Sequence, residues 1–159
     1  MVTITLRKPK AEEFELLADF QVVMAKETEE KILDPETVQK GIKHMMDNPS
    51  LGFYLVADVD GEPAGMSAVT YEWSDWRNGL FWWIQDVYVI KKFRNKGVWR
   101  AIYEKIRDDA KEAEGVAGIR LYHAPENHTA RSVYLKVGME DCDYKLMELD
   151  FSSAKSEHV

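Results

Sequence analysis

The sequence predicts a single α/β domain built on a mixed sheet flanked by helices. Three observations point there. Runs of β-prone residues alternate with segments of helical apolar spacing, and no internal repeat interrupts the alternation. The third is size, because 159 residues, 45% of them hydrophobic, are enough for one core and too few for two comfortable ones.

The elements follow in order. VTITLR, Val2 to Arg7, alternates like a strand, and after Pro9 the segment from Ala11 to about Glu30 sets Phe14, Leu17, Phe20 and Met24 near helical spacing. Asp34 followed by Pro35 has the form of a capped helix start. Val38, Ile42, Met45 and Met46 supply that helix's apolar face, and Asn48-Pro49 stops it. Two β-rich runs around Asp60-Gly61 form a hairpin, because this dipeptide tolerates the positive φ of a tight turn. The loop SDWRNG then leads into LFWWIQDVYVI, the most β-prone run of the chain. Beyond it come a helix from about Gly97 to Glu114, a strand AGIRLYH, a helix from about Thr129 to Val137, and a closing strand near YKLMELDF. One domain over residues 1–151 is expected, with a polar tail over 152–159.

Charge and cysteine content narrow the partners. With 21 Lys and Arg against 28 Asp and Glu, the net charge of -7 argues against a nucleic-acid binder. Lys91, Lys92, Arg94, Lys96 and Arg100 are therefore a local basic cluster on an acidic chain. The one cysteine, Cys142, has no internal partner and is expected in the core or at a strand edge. No signal peptide or long apolar run is evident, so a cytoplasmic protein without a membrane partner is expected, and no residue pattern calls for a metal.

The basic cluster falls in VYVIKKFRNKGVWRAIY, Val87 to Tyr103, where a strand enters a turn and a helix starts at once. The helix is credible because Trp99, Ile102, Tyr103, Ile106, Ala110 and Ala113 form one apolar stripe. A helix start exposes unpaired N–H groups and the positive end of the dipole, so amides from Asn95 to Trp99, with Lys96 and Arg100 beside them, suit a pyrophosphate. The phosphate loop that needs Gly-Lys-Ser/Thr and the dinucleotide fingerprint G-x-G-x-x-G are both absent. Taken alone, the stretch reads equally well as an ordinary strand-to-helix turn.

A second stretch, APENHTARSVYLKVGMED, spaces Asn127, Ala130, Tyr134, Lys136 and Gly138 as N-x-x-A-x-x-x-Y-x-K-x-G. Together the two stretches resemble the GNAT superfamily of acyl-CoA-dependent acetyltransferases, over about Val2 to Asp150. The resemblance implies a mixed, mostly antiparallel sheet of six to seven strands flanked by about four helices. It also implies acetyl-CoA as acyl donor. The family motif R/Q-x-x-G-x-G/A, which receives the pyrophosphate of coenzyme A, matches at Arg94 and Gly97. The backbone of Val87, Tyr88 and Val89 is implied to pair with the pantetheine arm. Asn95, Lys96, Gly97, Val98, Trp99 and Arg100 of the turn, together with Asn127 and Tyr134, complete the implied cofactor site. Trp99 stands where the family has Gly or Ala; because it opens the apolar stripe, its ring is expected to point toward the sheet.

The implied reaction needs an amine nucleophile and a thiolate leaving group. An alkyl amine of pKa about 10.4 is mostly protonated near neutrality, which costs roughly 4 kcal/mol of reactive species, so a base or water relay is useful. A thiol of pKa near 8.5 and a tyrosine near 10 make proton donation nearly balanced, and Tyr134 holds the family's general-acid position. Its other reading is a core tyrosine on the stripe of Ala130, Val133, Tyr134 and Val137. The run WWIQDVYV resembles a strand of the spermidine and diamine acetyltransferase branch, with Gln85 in place of a glutamate. An amide can orient a water or an amine but cannot take its proton. Asp86 is the alternative base, although it alternates to the opposite strand face unless a bulge turns it inward. His123 and His128 read more readily as surface or structural residues.

Acceptor specificity is expected from the first two helices and the loop from Tyr71 to Gly79. Glu27 and Glu30 with Tyr71, Trp73, Asp75 and Gln85 combine carboxylates and aromatic faces suited to a small cationic amine. Some of the five tryptophans are expected to line a pocket or a homodimer interface. The expected function is acetyl transfer from acetyl-CoA to a primary amine. The alternatives are a non-catalytic GNAT-like module that binds acyl-CoA or an amine, and a peptide or protein N-acetyltransferase.

Overall fold

The computed structural model describes residues 1–152; of the expected tail, everything after Ser152 lies outside the described residues. The chain divides into two units, one through Tyr122 and one from His123 onward. The first unit carries a five-stranded sheet in the order β1-β2-β3-β4-β5. Its strands are β1 (Ile4–Arg7), β2 (Gly52–Val59), β3 (Glu62–Ser74), β4 (Gly79–Val89) and β5 (Val116–Leu121). The first four pair antiparallel, and β5 lies parallel to β4.

Each antiparallel step follows from local chemistry. Asp60 at φ 50° and Gly61 at φ 84° form the turn between β2 and β3, and the Asp60 carboxylate accepts from the Thr3 amide at 2.9 Å. The parallel step needs a crossover, which is α3 (Val98–Glu112). Helix α1 (Phe14–Glu29) and helix α2 (Pro35–Asp47) precede the hairpin, and Asp34 caps α2 by accepting from the Thr37 amide at 3.0 Å.

Leu17, Ala18 and Phe20 of α1 and Ile42 of α2 pack on Tyr54, Val56, Met66, Ala68 and Tyr88, one face of the sheet. Leu55, Ala57 and Val69 alternate to the other face. There α3 buries Val98, Ile102, Tyr103, Ile106 and Ala110. A guanidinium and two carboxylates tie α1 to the sheet edge: Arg7 donates to Asp58 and to Glu13, each at 2.7 Å.

The second unit contains α4 (His128–Lys136). Among the described residues the sheet thus has five strands, not the expected six to seven. The run from Tyr144 to Phe151 forms no strand, and Tyr144, Leu146, Met147, Leu149 and Phe151 are all exposed. Its alternation breaks where Leu146 meets Met147, and an isolated run gains nothing from β-propensity without a ladder partner. Cys142 is likewise exposed, outside any core or strand.

Candidate active site

The turn between β4 and α3 is shaped by two left-handed residues, Asn95 at φ 62° and Gly97 at φ 83°. Gly97 immediately precedes α3 and, as its N-cap, supplies no side-chain hydrogen bond to it. A Cβ on Gly97 would meet nothing within 4 Å, so the glycine serves backbone conformation and the space before the helix stays open. The Gly97 carbonyl accepts from the Ala101 amide at 3.0 Å, which starts the helix, while buried Val98 pins its first turn to the core. An uncapped helix start behind a glycine is a ready anion receiver.

Arg94 braces the turn. Its Nε donates to the Val89 carbonyl at 2.9 Å and its guanidinium pairs with Glu27 of α1 at 2.7 Å. Glu27, expected at the acceptor, is thus joined to the turn. Lys96 rests over the Phe93 ring at 5.6 Å, and Arg100 pairs with Glu104. Trp99 stacks in parallel on buried Tyr103, with centroids 5.6 Å apart. Its ring therefore lies along the helix, away from Gly97.

The strand ahead of the turn is open on one side. β5 pairs with β4 only as far as Ile84, so among the described residues no strand flanks β4 from Gln85 to Val89 on that side. The Ile90 amide donates to Ala64 of β3 at 2.8 Å, and alternation then turns the backbone groups of Val87 and Val89 toward the open side, where Arg94 already engages the Val89 carbonyl. Val87, Tyr88 and Val89 thus end a strand with a free edge leading into the anion turn.

A β-bulge sits where this free edge begins. Ala68 faces Asp86 and Val69 faces Ile84, so Gln85 is the extra residue. Asp86 lies on the face of Ala68 and Tyr88, where α1 covers it, and the bulge brings Gln85 onto that face beside it. Gln21 of α1 donates its amide to Asp86 at 2.8 Å, and Gln85 donates to the Thr70 hydroxyl at 2.6 Å. Burial raises the Asp86 carboxyl above the usual range, the Gln21 hydrogen bond opposes this, and Glu29 adds to the rise. Across the sheet, burial and then the Asp86 charge push the Tyr54 phenol up to about 12. Gln85 and Asp86 therefore share one face of the sheet, which strict alternation forbids.

Tyr71 lies on the other face, against Phe53 and Trp82 with ring centroids at 6.4 and 6.2 Å. Trp73 is exposed, and Asp75 belongs to the turn after β3, its carbonyl accepting from Asn78. Glu30 ends α1 in the left-handed region and is exposed. Of the expected acceptor residues, then, only Gln85 shares a face with Asp86 on the sheet. Sequence reasoning missed Gln21 and Tyr54. Gln21 did carry a signal, being a polar residue one turn after Leu17 beside the buried stripe.

In the second unit Asn127 caps α4: its side-chain oxygen accepts from the Ala130 amide at 3.1 Å. Gly138, at φ 92°, closes the other end, its amide donating to Leu135 while Met139 donates to the Tyr134 carbonyl. Tyr134 is half-buried, and burial raises its phenol. His123 lies 3.9 Å from Asp141, which Arg131 also engages, and His128 is the exposed first residue of α4. Among the described residues no group of three or more His, Cys, Asp or Glu is arranged to hold a metal.

Residues 14–139 match the model of the acetyltransferase (GNAT) family. The chain belongs to that family. Among solved structures, this GNAT protein resembles a possible acetyltransferase from Clostridium difficile 630, 37% identical with a TM-score of 0.87, over 92% of this chain and 97% of that one. An aminoglycoside N-acetyltransferase solved in complex with CoA shares the fold at 12% identity and a TM-score of 0.76, covering 95% of this chain and 97% of its own. Glucosamine-6-phosphate N-acetyltransferase from Arabidopsis thaliana does so at 21% and 0.70, covering 92% and 98%. No curated protein matches the sequence. No helix among the described residues is long and apolar enough to cross a membrane.

Proposed function

We propose that this GNAT protein transfers an acetyl group from acetyl-CoA to the primary amine of a small cationic metabolite. The observation that carries the reading is the free edge of β4 running into the uncapped start of α3. The edge from Val87 to Val89 offers backbone groups to an extended amide-bearing chain, and the turn offers an anion site with Lys96 and Arg100 beside it. This combination fits the pantetheine and pyrophosphate of acetyl-CoA, which supplies an activated acetyl thioester when bound. The Trp99 ring, stacked on Tyr103, leaves the space before Gly97 clear.

The acceptor side lies where the bulge sets Gln85 and Asp86. The nitrogen of the amine bonds to the acetyl carbon as the carbon–sulfur bond breaks. Asp86 receives the proton that the nitrogen loses, directly or through a water held by Gln85, and Tyr134 gives a proton to the thiolate. An Asp raised by burial is the better acceptor for such a proton, since its basicity lies closer to working pH. Burial keeps the Tyr134 phenol protonated across the working range, and it also makes that proton harder to give to a thiolate than a free tyrosine's would be. The cationic acceptor is supported by Glu29 and Asp86 on the α1 side and by the resemblance of the β4 run to the spermidine and diamine branch.

The test is thiol release from acetyl-CoA against a panel of diamines, basic, neutral and acidic amino acids, and short peptides. Diamines or basic amino acids should be acetylated fastest. A preference for anionic acceptors would reject the cationic pocket, and fastest acetylation of peptides would move the acceptor to protein. No acetyl-CoA binding by calorimetry would end the enzyme reading.

A further inference from the structure

We propose that Gln21 is a positioning residue of the transfer: its amide holds one oxygen of the Asp86 carboxylate and leaves the other to receive the acceptor's proton. The inference rests on the acetyl-transfer reading and extends it to α1. The half-buried carboxylates of Asp58 and Glu13 meet a guanidinium, that of Arg7. Asp86 instead meets a neutral amide at 2.8 Å, and the nearby charge is the like charge of Glu29. Such an arrangement is a poor stabiliser of the fold, since a carboxylate shielded from water gains most from a cation. It does fix the carboxylate's orientation without removing its basicity.

The geometry of both partners is imposed. The regular pairing of Asp86 with Ala68 sets its side chain on the α1 face with Tyr88, and the packing of Leu17 and Phe20 fixes the helix turn carrying Gln21. A carboxylate only accepts, so the Gln21 amide must present its N–H to Asp86. One oxygen is then occupied and the other is available. The proton taken up there leaves to solvent after each turnover, so Asp86 returns to its starting charge. The ionisable groups facing Asp86 are Glu29 from α1 and Tyr54 from β2, and neutral Ala68 is opposite on β3. Tyr54 keeps its proton across the working range.

The test follows the Asp86 side-chain carbon by NMR titration, together with the pH profile of kcat for the fastest amine of the panel. Gln21→Leu removes the donated hydrogen bond, and Gln21→Met repeats the change with a more adaptable chain. Removing a donor to the charged form raises the carboxyl further. Both variants should therefore move the Asp86 titration and the acid limb of kcat upward together by about half a pH unit or more. At pH 7 kcat should fall several-fold, with the KM for acetyl-CoA unchanged and no further loss when Gln21→Leu is added to Asp86→Asn. An unmoved titration, or one that moves while the acid limb stays, would overturn the role of Gln21. Full activity in Asp86→Asn would instead remove Asp86 as proton acceptor, and absence of thiol release in the unaltered protein would remove the reaction itself.

Discussion

Helices α3 and α4 both open motifs that resemble the GNAT family, yet they begin in opposite ways. α3 follows a glycine at φ 83°, which has no side chain to cap the first turn. α4 follows Asn127, whose own side chain takes the Ala130 amide. A helix capped by its own side chain has one first-turn donor fewer to offer an anion; one that opens behind a glycine loses none to its N-cap. In the proposed reading the first motif is a binding surface, while the Asn127 and Gly138 positions of the second form a helix start and stop. What α4 offers to the proposed reaction is a side chain, Tyr134. The contrast makes different predictions for changes at the two helices.

The largest effect is expected from Tyr134→Phe, which keeps the ring and removes the hydroxyl. If α4 contributes a proton donor and not an anion site, kcat should fall on the order of a hundredfold while acetyl-CoA binding barely moves. Steady-state kinetics beside calorimetry separate the two. A weakened cofactor affinity with kcat intact would reverse the assignment of the helices.

Next comes Gly97→Val at α3. A β-branched residue in the left-handed region is strained by about 1–2 kcal/mol, and relief of that strain moves the turn. Acetyl-CoA affinity should drop about tenfold or more, with the melting temperature shifted by a few degrees. Equal affinity in this variant would mean that the open helix start receives nothing.

Much of this contrast was legible in the residues, and the limits are physical. The strand, turn and helix around Gly97 follow from local patterns, because positive φ, a short basic turn and an apolar stripe each leave a mark. The side chain that braces the turn does not: that Arg94 meets Glu27, far away in sequence, depends on how α1 lies on the sheet. That Gln85 and Asp86 share a face depends on a bulge, an extra residue that alternation alone cannot reveal. Tyr71 and Gln85 both belong to aromatic and polar runs that look alike in sequence, and only strand register separates them onto two faces. The run from Tyr144 to Phe151 shows the converse: a strand-like composition without a ladder stays exposed.

The smallest effect sharpens the comparison most, because it is expected in stability and not in binding. Asn127 closes one amide of α4, and its loss in Asn127→Ala removes a helix cap worth about 1 kcal/mol. The Ala130 amide, which Asn127 now holds at 3.1 Å, should exchange with solvent about fivefold faster, and its neighbours in the first turn should follow. The acetyl-CoA dissociation constant should change by less than about twofold, since a cap that serves its own helix contributes nothing to a ligand. Hydrogen exchange and calorimetry on the same variant therefore decide the matter. If the amide is unaffected while cofactor affinity falls tenfold, Asn127 is a ligand of the cofactor, and the two helix starts do the same work.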